Sequence, residues 1–368
     1  MSLIRVLSGL SMEYDVPSLT VGLIGLGWLS REIYLPCLQD SPLVRSVVGY
    51  DVNHHVYNAL SGQYSKLECA PDLDSAMTAV SDLVIIATPN SMHFDQIKAA
   101  LGAGRPTLCE KPICLTGAQV GELRELIGRI EVPLLTSVPA RFRPDTGALK
   151  EMISHGAFGH VYSLRASWIK KSGIPGSDWF RQKSLAGGGV LIDMGPHMID
   201  LLIWLTECGE HKSAHAVGSA HFLRDPSSYA SWHRGYVQGD TEDVEDHVVA
   251  TVLCERACLQ VELAWASQVS ADEVVLAGLG TRGSFELRTS LGFSTRVRHR
   301  VASLRTYVDG SQMSREIEIE DRKAAFRRMI ECYIDGAAKR ALPTQAGAEA
   351  CRVMSVVAAL YEDIVMLS

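Results

Sequence analysis

The chain has 368 residues, 47% hydrophobic and 21% charged, a balance that buries a large core, excludes a disordered chain and divides into two domains at roughly 150 residues each. Its 35 basic and 42 acidic residues leave a formal charge of -7, and no basic run is available to neutralise a phosphate backbone, so nucleic acid is not an expected partner. No apolar run approaches ~20 residues, and Met1 to Ser18 lack a basic flank, an apolar core and a cleavage site, which predicts a cytoplasmic chain without a membrane segment.

Leu19 to Gly25 is an apolar run too short for a helix and reads as a buried strand that leads directly into a glycine turn. Alternating elements follow: a helix near Ser30 to Gln39, a strand Val44 to Asp51, a helix near His54 to Tyr64, a helix Leu73 to Ala79, a strand Leu83 to Thr88 and a helix Ser91 to Ala103. Strands Pro106 to Glu110 and Val132 to Ser137, separated by an amphipathic helix Thr116 to Ile130, continue the pattern. This order specifies an α/β fold with a doubly wound parallel sheet over 19–140.

Beyond it, over 141–368, the rhythm changes to long strands, His160 to Lys170 and the hairpin pair His247 to Cys254 and Ala257 to Ser267, which predict a second domain with a mostly antiparallel sheet. Gly187-Gly188-Gly189 precedes an apolar segment, Val190 to Leu205, helical over at least its second half. Helices Arg322 to Lys339 and Ala346 to Met366 close the chain, and either could pack back on the first domain. The nine cysteines form no C-x-x-C pair, and His211, His215 and His221 lack a third ligand type nearby, so no disulfide framework and no metal site are expected.

Gly25-Leu26-Gly27-Trp28-Leu29-Ser30 is a G-x-G-x-x-S turn between a strand and a helix, the place where a dinucleotide pyrophosphate meets a helix N-terminus. Gly25 permits the tight turn, Gly27 the close approach, and Ser30 the packing of helix on strand; the alternative is a structural turn. Trp28 either covers the cofactor or shields the helix start. Asp51 ends the second strand, where a carboxylate accepts from a ribose 2′-hydroxyl and repels a 2′-phosphate, favouring NAD(H) over NADP(H); alternatively it caps the next turn. Thr88, Pro89, Asn90 and His93 follow the next strand, and Glu110 and Lys111 the one after, all at the sheet edge where ligands bind.

Taken in order, G-L-G-W-L-S, A-T-P-N-S-M-H, E-K-P and G-G-G-V-L-I-D-M-G-P-H-M-I-D resemble the Gfo/Idh/MocA oxidoreductase family. The resemblance implies a Rossmann domain, a second domain whose large sheet forms a homodimer or homotetramer, and catalytic roles for Lys111, Asp193 and His197. It also implies a substrate pocket near Trp168, Lys170, Trp179 and Arg181, suited to a polyhydroxylated small molecule. Loss of a hydroxyl proton during hydride transfer calls for a base such as His197 and a cation such as Lys111 beside the developing alkoxide. Pro196 requires either a helix start near Gly195 or a distortion, with Asp193 on the entering loop. Pro139 stands where relatives often carry an amide. The expected activity is NAD(P)-dependent oxidation or reduction of a secondary hydroxyl or keto group on a sugar, sugar derivative or cyclitol. The alternatives are an NAD-dependent glycosidase working by transient oxidation and a non-catalytic dinucleotide sensor.

Overall fold

The computed structural model describes residues 18–60, 62–79, 81–230, 243–294 and 296–367; the N-terminal segment 1–17 read above lies outside them. The first six strands are β1 (Leu19–Ile24), β2 (Val44–Tyr50), β3 (Leu67–Cys69), β4 (Leu83–Ile86), β5 (Thr107–Cys109) and β6 (Leu134–Thr136). They form one sheet in the order β3-β2-β1-β4-β5-β6, with every pairing parallel. β1 and β4 are buried along their whole length, as helices on both faces of a parallel sheet require. The strand order reverses between β1 and β4, which opens a crevice at their carboxyl ends.

The remaining strands are β7 (Val161–Ile169), β8 (His211–Ser219), β9 (His247–Cys254), β10 (Cys258–Ala264), β11 (Glu273–Gly280), β12 (Gly283–Thr289), β13 (Val301–Val308), β14 (Ser311–Glu318) and β15 (Val365–Met366). They build a nine-stranded sheet in the order β14-β13-β12-β11-β7-β10-β9-β8-β15, antiparallel except where β10 meets β7 and β15 meets β8. Burial alternates along β9. One face lies under the helices Val190–Thr206 and Ala346–Asp363, and the other exposes Val217, Val249, Leu253, Leu279 and Tyr307.

Several expectations need correction. β3, β8 and β11 to β14 had not been anticipated; β3 has three residues and β8 and β14 are largely polar, which weakens their periodic signal. The last helix ends at Asp363, and Val365–Met366, read as its continuation, form β15. The helix after the glycine turn begins as a π-helical stretch, Ser30–Tyr34, before Leu35–Asp40. The helix Val190–Thr206 runs through Pro196, so Asp193 stands in its first turn instead of on an entering loop. Segment 183–206 is long and apolar enough to cross a bilayer, but 83% of its apolar window is buried in the protein.

The start of that helix is fixed by contacts from distant parts of the chain. Glu245 Oε1 accepts from Gly189 N and Leu191 N, both at 3.0 Å, and Glu245 O accepts from Val190 N at 2.9 Å. Tyr361 Oη accepts from Ile192 N at 3.0 Å and donates to Glu245 Oε1 at 2.7 Å. Four consecutive amides that the helix leaves unpaired are thereby satisfied. The triple glycine follows from this geometry, since a Cβ on Gly188 would strike the Tyr361 ring and one on Gly189 the Glu245 backbone.

The helix Ala324–Ala338 places Phe326, Met329, Ile330, Tyr333 and Ile334 in the same core cluster as β1 and its neighbours. The second half of the chain thus contributes directly to the first sheet's packing. Glu245→Ala removes the acceptor shared by Gly189, Leu191 and Tyr361 in a buried place, so it should destabilise the fold by about 1–3 kcal/mol, read as a lower urea midpoint.

Candidate active site

A cavity of about 720 Å³ runs from the glycine turn to the start of the helix Val190–Thr206. Gly25 forms its floor with φ at +88°, and a Cβ there would stand 2.6 Å from Ala87 O. A Cβ on Gly27 would meet nothing within 4 Å, so the turn's outer side is open to a ligand. Asp51 stands across from it and holds the turn, with Oδ2 accepting from Leu26 N at 2.8 Å and Oδ1 from Asn53 N at 2.9 Å. Each oxygen keeps a lone pair for a further donor. The structural and the ligand-facing readings of Asp51 are therefore compatible.

Sixteen of the proposed site residues line this cavity: Gly25, Gly27, Trp28, Leu29, Asp51, Thr88, Pro89, Asn90, His93, Glu110, Lys111, Trp168, Lys170, Trp179, Asp193 and His197. Two do not. Ser30 is buried, its hydroxyl donating to Gly25 O at 2.5 Å, so it locks the turn from behind. Arg181 is fully buried and binds Asp178 at 2.8 Å and Tyr229 Oη at 2.9 Å, which makes it a support behind the wall and not a substrate contact.

Several first-domain side chains are engaged with protein partners. Thr88 Oγ1 donates to Gln96 Oε1 at 2.7 Å, and Asn90 Nδ2 donates to Ala186 O at 2.9 Å, tying the strand end to the residues before the triple glycine. His93 lies between carbonyls, with Nδ1 2.7 Å from Pro112 O and Nε2 2.8 Å from Thr88 O. Glu110 Oε1 accepts from Tyr34 Oη at 2.6 Å, and burial raises the Glu110 pKa against the opposing effects of Tyr34 and Lys111. These four side chains brace the crevice.

At the far end, Lys111 Nζ donates to Asp193 Oδ1 at 2.6 Å and to Asp193 O at 2.7 Å. Trp265 Nε1 donates to the other carboxylate oxygen, Asp193 Oδ2, at 2.8 Å. Burial raises the Asp193 pKa, but Lys111, Lys170 and the two hydrogen bonds outweigh it and hold the carboxyl at about 2. Burial, then the neighbouring Lys111 and Lys170, depress His197 to about 3, with Asp193 only partly opposing. Lys170 is pushed down by burial and by Lys111, with Asp193 and Asp272 opposing, and its Nζ lies 5.0 Å from the Trp168 ring centroid. The Trp168 ring is in turn 6.3 Å from that of His197. Two cations, one fixed carboxylate and a neutral imidazole therefore share a small, poorly solvated space, suited to stabilising an oxyanion.

Trp265 was missed because a lone tryptophan at a strand end reads as core. Phe293 and Arg322, which line the cavity, lie in segments that carry no motif. Pro139 is in the lining as well, at the place where relatives often carry an amide. Trp28 packs edge-on against Phe293 with ring centroids 5.0 Å apart. His211 and His215 lie on β8, with His215 Nδ1 3.0 Å from Asp363.

A β3-β2-β1-β4-β5-β6 parallel sheet, a glycine turn opening at its switch point and a carboxylate at the end of β2 define a dinucleotide-binding α/β protein. Residues 19–135 match the model of the oxidoreductase family with an NAD-binding Rossmann fold, and 146–286 match the GFO/IDH/MocA C-terminal domain. The chain belongs to the Gfo/Idh/MocA family of NAD(P)-dependent dehydrogenases and reductases. It is 31% identical over 282 residues to a protein of Amycolatopsis mediterranei provisionally named UDP-kanosamine synthase oxidoreductase subunit, covering 75% of this chain and 77% of that one. It is 28% identical over 237 residues to D-glucoside 3-dehydrogenase of Escherichia coli, covering 64% and 66%. The fold is similar to that of a levoglucosan dehydrogenase solved with NADH and levoglucosan, with a TM-score of 0.77 at 21% identity over 94% of this chain and 96% of that one.

The depressed His197 pKa has a consequence for stability. A histidine that titrates at 6.5 when unfolded and about 3 when folded binds more protons unfolded, so its contribution is present above pH 6.5 and is lost as pH falls toward 3. His197→Asn should flatten the pH dependence of the urea midpoint in that window by up to about one proton. An unchanged slope would show that the imidazole is not held neutral.

Proposed function

We propose that the protein transfers hydride between NAD(H) and a secondary hydroxyl or keto carbon of a sugar, sugar derivative or cyclitol. The observation that carries this reading is the meeting of Lys111, Asp193 and a neutral His197 at one end of the cavity whose other end is the glycine turn. Relatives named for action on a glucoside and on levoglucosan support a polyhydroxylated substrate.

The residues present fit a dinucleotide, since Gly27 opens onto the cavity and Asp51 faces it from the end of β2. Gly25, Gly27 and the following amides would hold its diphosphate, and Asp51 its adenosine ribose. When bound, the nicotinamide supplies or takes up the hydride. In the oxidative direction His197 accepts the hydroxyl proton, and the Lys111 ammonium, held in place by Asp193, stabilises the alkoxide that forms. Trp265 keeps the Asp193 carboxylate turned toward Lys111. Trp168, Lys170 and Trp179 border the space for the sugar ring, as apolar faces beside a cationic donor suit a ring with many hydroxyls. Asp51 would repel a 2′-phosphate, and neither Val52 nor Asn53 supplies a compensating charge, so NAD(H) is preferred to NADP(H).

The test is a screen of sugars, polyols and keto-sugars followed by nicotinamide absorbance, then kinetics of variants on the best substrate. His197→Ala should lower kcat roughly 10²–10⁴-fold with little change in NADH affinity, and Lys111→Met should also cut turnover. Near-normal turnover in His197→Ala would remove it as the acid–base group. Titration with both cofactors tests Asp51: the unmodified protein should bind NADH more tightly than NADPH, and Asp51→Ala should narrow the difference.

The exposed apolar residues Val217, Val249, Leu253, Leu279 and Tyr307 share the outer face of the nine-stranded sheet. A patch of that extent supports a homodimer or homotetramer formed through this face. Light scattering at micromolar concentration should give a multiple of 40.1 kDa; a monomeric mass would refute it.

A further inference from the structure

The glycine turn is overlain by residues from the far end of the chain. Trp28 meets Phe293 edge-on at 5.0 Å between centroids, and Phe293 stacks on Phe326 at 5.4 Å. Arg322 Nη1 donates to Phe293 O at 2.7 Å, and the adjacent Lys323 pairs at 2.7 Å with Glu32, just beyond the turn. Phe293 comes from the segment after β12, and Arg322 lies just before the helix Ala324–Ala338. Both line the cavity together with Gly27 and Trp28.

We propose that Arg322 binds the diphosphate of the dinucleotide and that Trp28 and Phe293 close over it, a clasp outside the glycine fingerprint that sets how long the cofactor stays. The inference rests on the cofactor reading above. Arg322 carries five N–H donors in a rigid fork matched to phosphate oxygens. The bond to Phe293 O uses one and holds the guanidinium at the cavity edge. The turn itself, Gly25 to Ser30, has no basic residue, and the nearby Arg31 turns its Nε back to Gly27 O at 3.2 Å. Among the lining residues Lys111 and Lys170 stand at the Asp193 end, and Arg143 is held by Asp145 at 2.7 Å. Among the described residues, Arg322 is thus the lining cation at the phosphate end. Because Trp28, Phe293 and Arg322 come from three separate segments, the diphosphate would be gripped only when both halves of the chain are packed together.

A diphosphate could also be carried by a nucleotide-linked sugar, so the experiment uses two probes. NADH and UDP-glucose are titrated separately into the unmodified protein, Arg322→Met, Arg322→Lys and Trp28→Leu at low and high salt, and NADH dissociation is followed by stopped-flow fluorescence. Arg322→Met should weaken NADH roughly tenfold to a hundredfold and flatten its salt dependence, with partial recovery in Arg322→Lys. Trp28→Leu should raise the NADH dissociation rate constant. The clasp is overturned if Arg322→Met binds NADH with unchanged affinity and salt dependence, or if the loss falls on UDP-glucose and spares NADH. Absence of NADH binding by the unmodified protein would instead overturn the cofactor reading, and the clasp with it.

Discussion

The amides at the start of the helix Val190–Thr206 need acceptors, and the chain supplies them from a side chain and backbone carbonyl at Glu245 and from the hydroxyl of Tyr361. Because these groups lie on the entrance to β9 and on the last long helix, the helix can start only where the second sheet and the C-terminal helix are both in place. That start sets the direction of Asp193 in the first turn and of His197 one turn later. The triple glycine is what lets Tyr361 and the Glu245 backbone come close enough. Glu245 is itself buried and its pKa is raised by burial, so the arrangement is sensitive to any loss of a partner.

Electrostatics at the cavity end follow from that placement. Asp193 faces Lys111 and lies within the field of Lys170, and Trp265 occupies its second oxygen. A carboxylate so held stays ionised and can fix an ammonium without competing for the hydroxyl proton. The imidazole beside it meets the same burial and the same two positive charges, which here disfavour the charged form, and it stays neutral.

The first domain contributes differently. At its strand ends the side chains of Thr88, Asn90, His93 and Glu110 are tied to Gln96, Ala186, two carbonyls and Tyr34. What this leaves toward the cavity at the glycine turn is backbone, and open space beside Gly27. Backbone amides at a helix start are a fixed anion site that no rotamer change can disturb. Arg141, at the junction between the two halves, binds Asp200 at 2.6 Å and Glu349 at 2.7 Å, so the crevice is also braced from below.

The parallel sheet was legible in the sequence because buried strands such as Leu83–Ile86 are continuous apolar runs, and the glycine turn was legible because only glycine fits the φ of Gly25 and the approach to Ala87. Lys111, Asp193 and His197 were legible as motif positions that resemble a known family. The strands β11 to β14 were not: β14 is a polar edge strand, and the place of β11 in the sheet depends on its pairing with β7, more than a hundred residues earlier in the chain. Nor were Trp265 as a partner of Asp193, Glu245 and Tyr361 as anchors of the helix start, Arg322 as a residue lining the cavity, or Arg181 as a buried support. Local pattern determines which segments become strands, turns and helices, because periodicity and backbone freedom are properties of neighbours in sequence. Which side chain meets which, and therefore which groups are desolvated, charged or already paired, was decided only by the tertiary structure, because burial and hydrogen-bond partners are properties of neighbours in space.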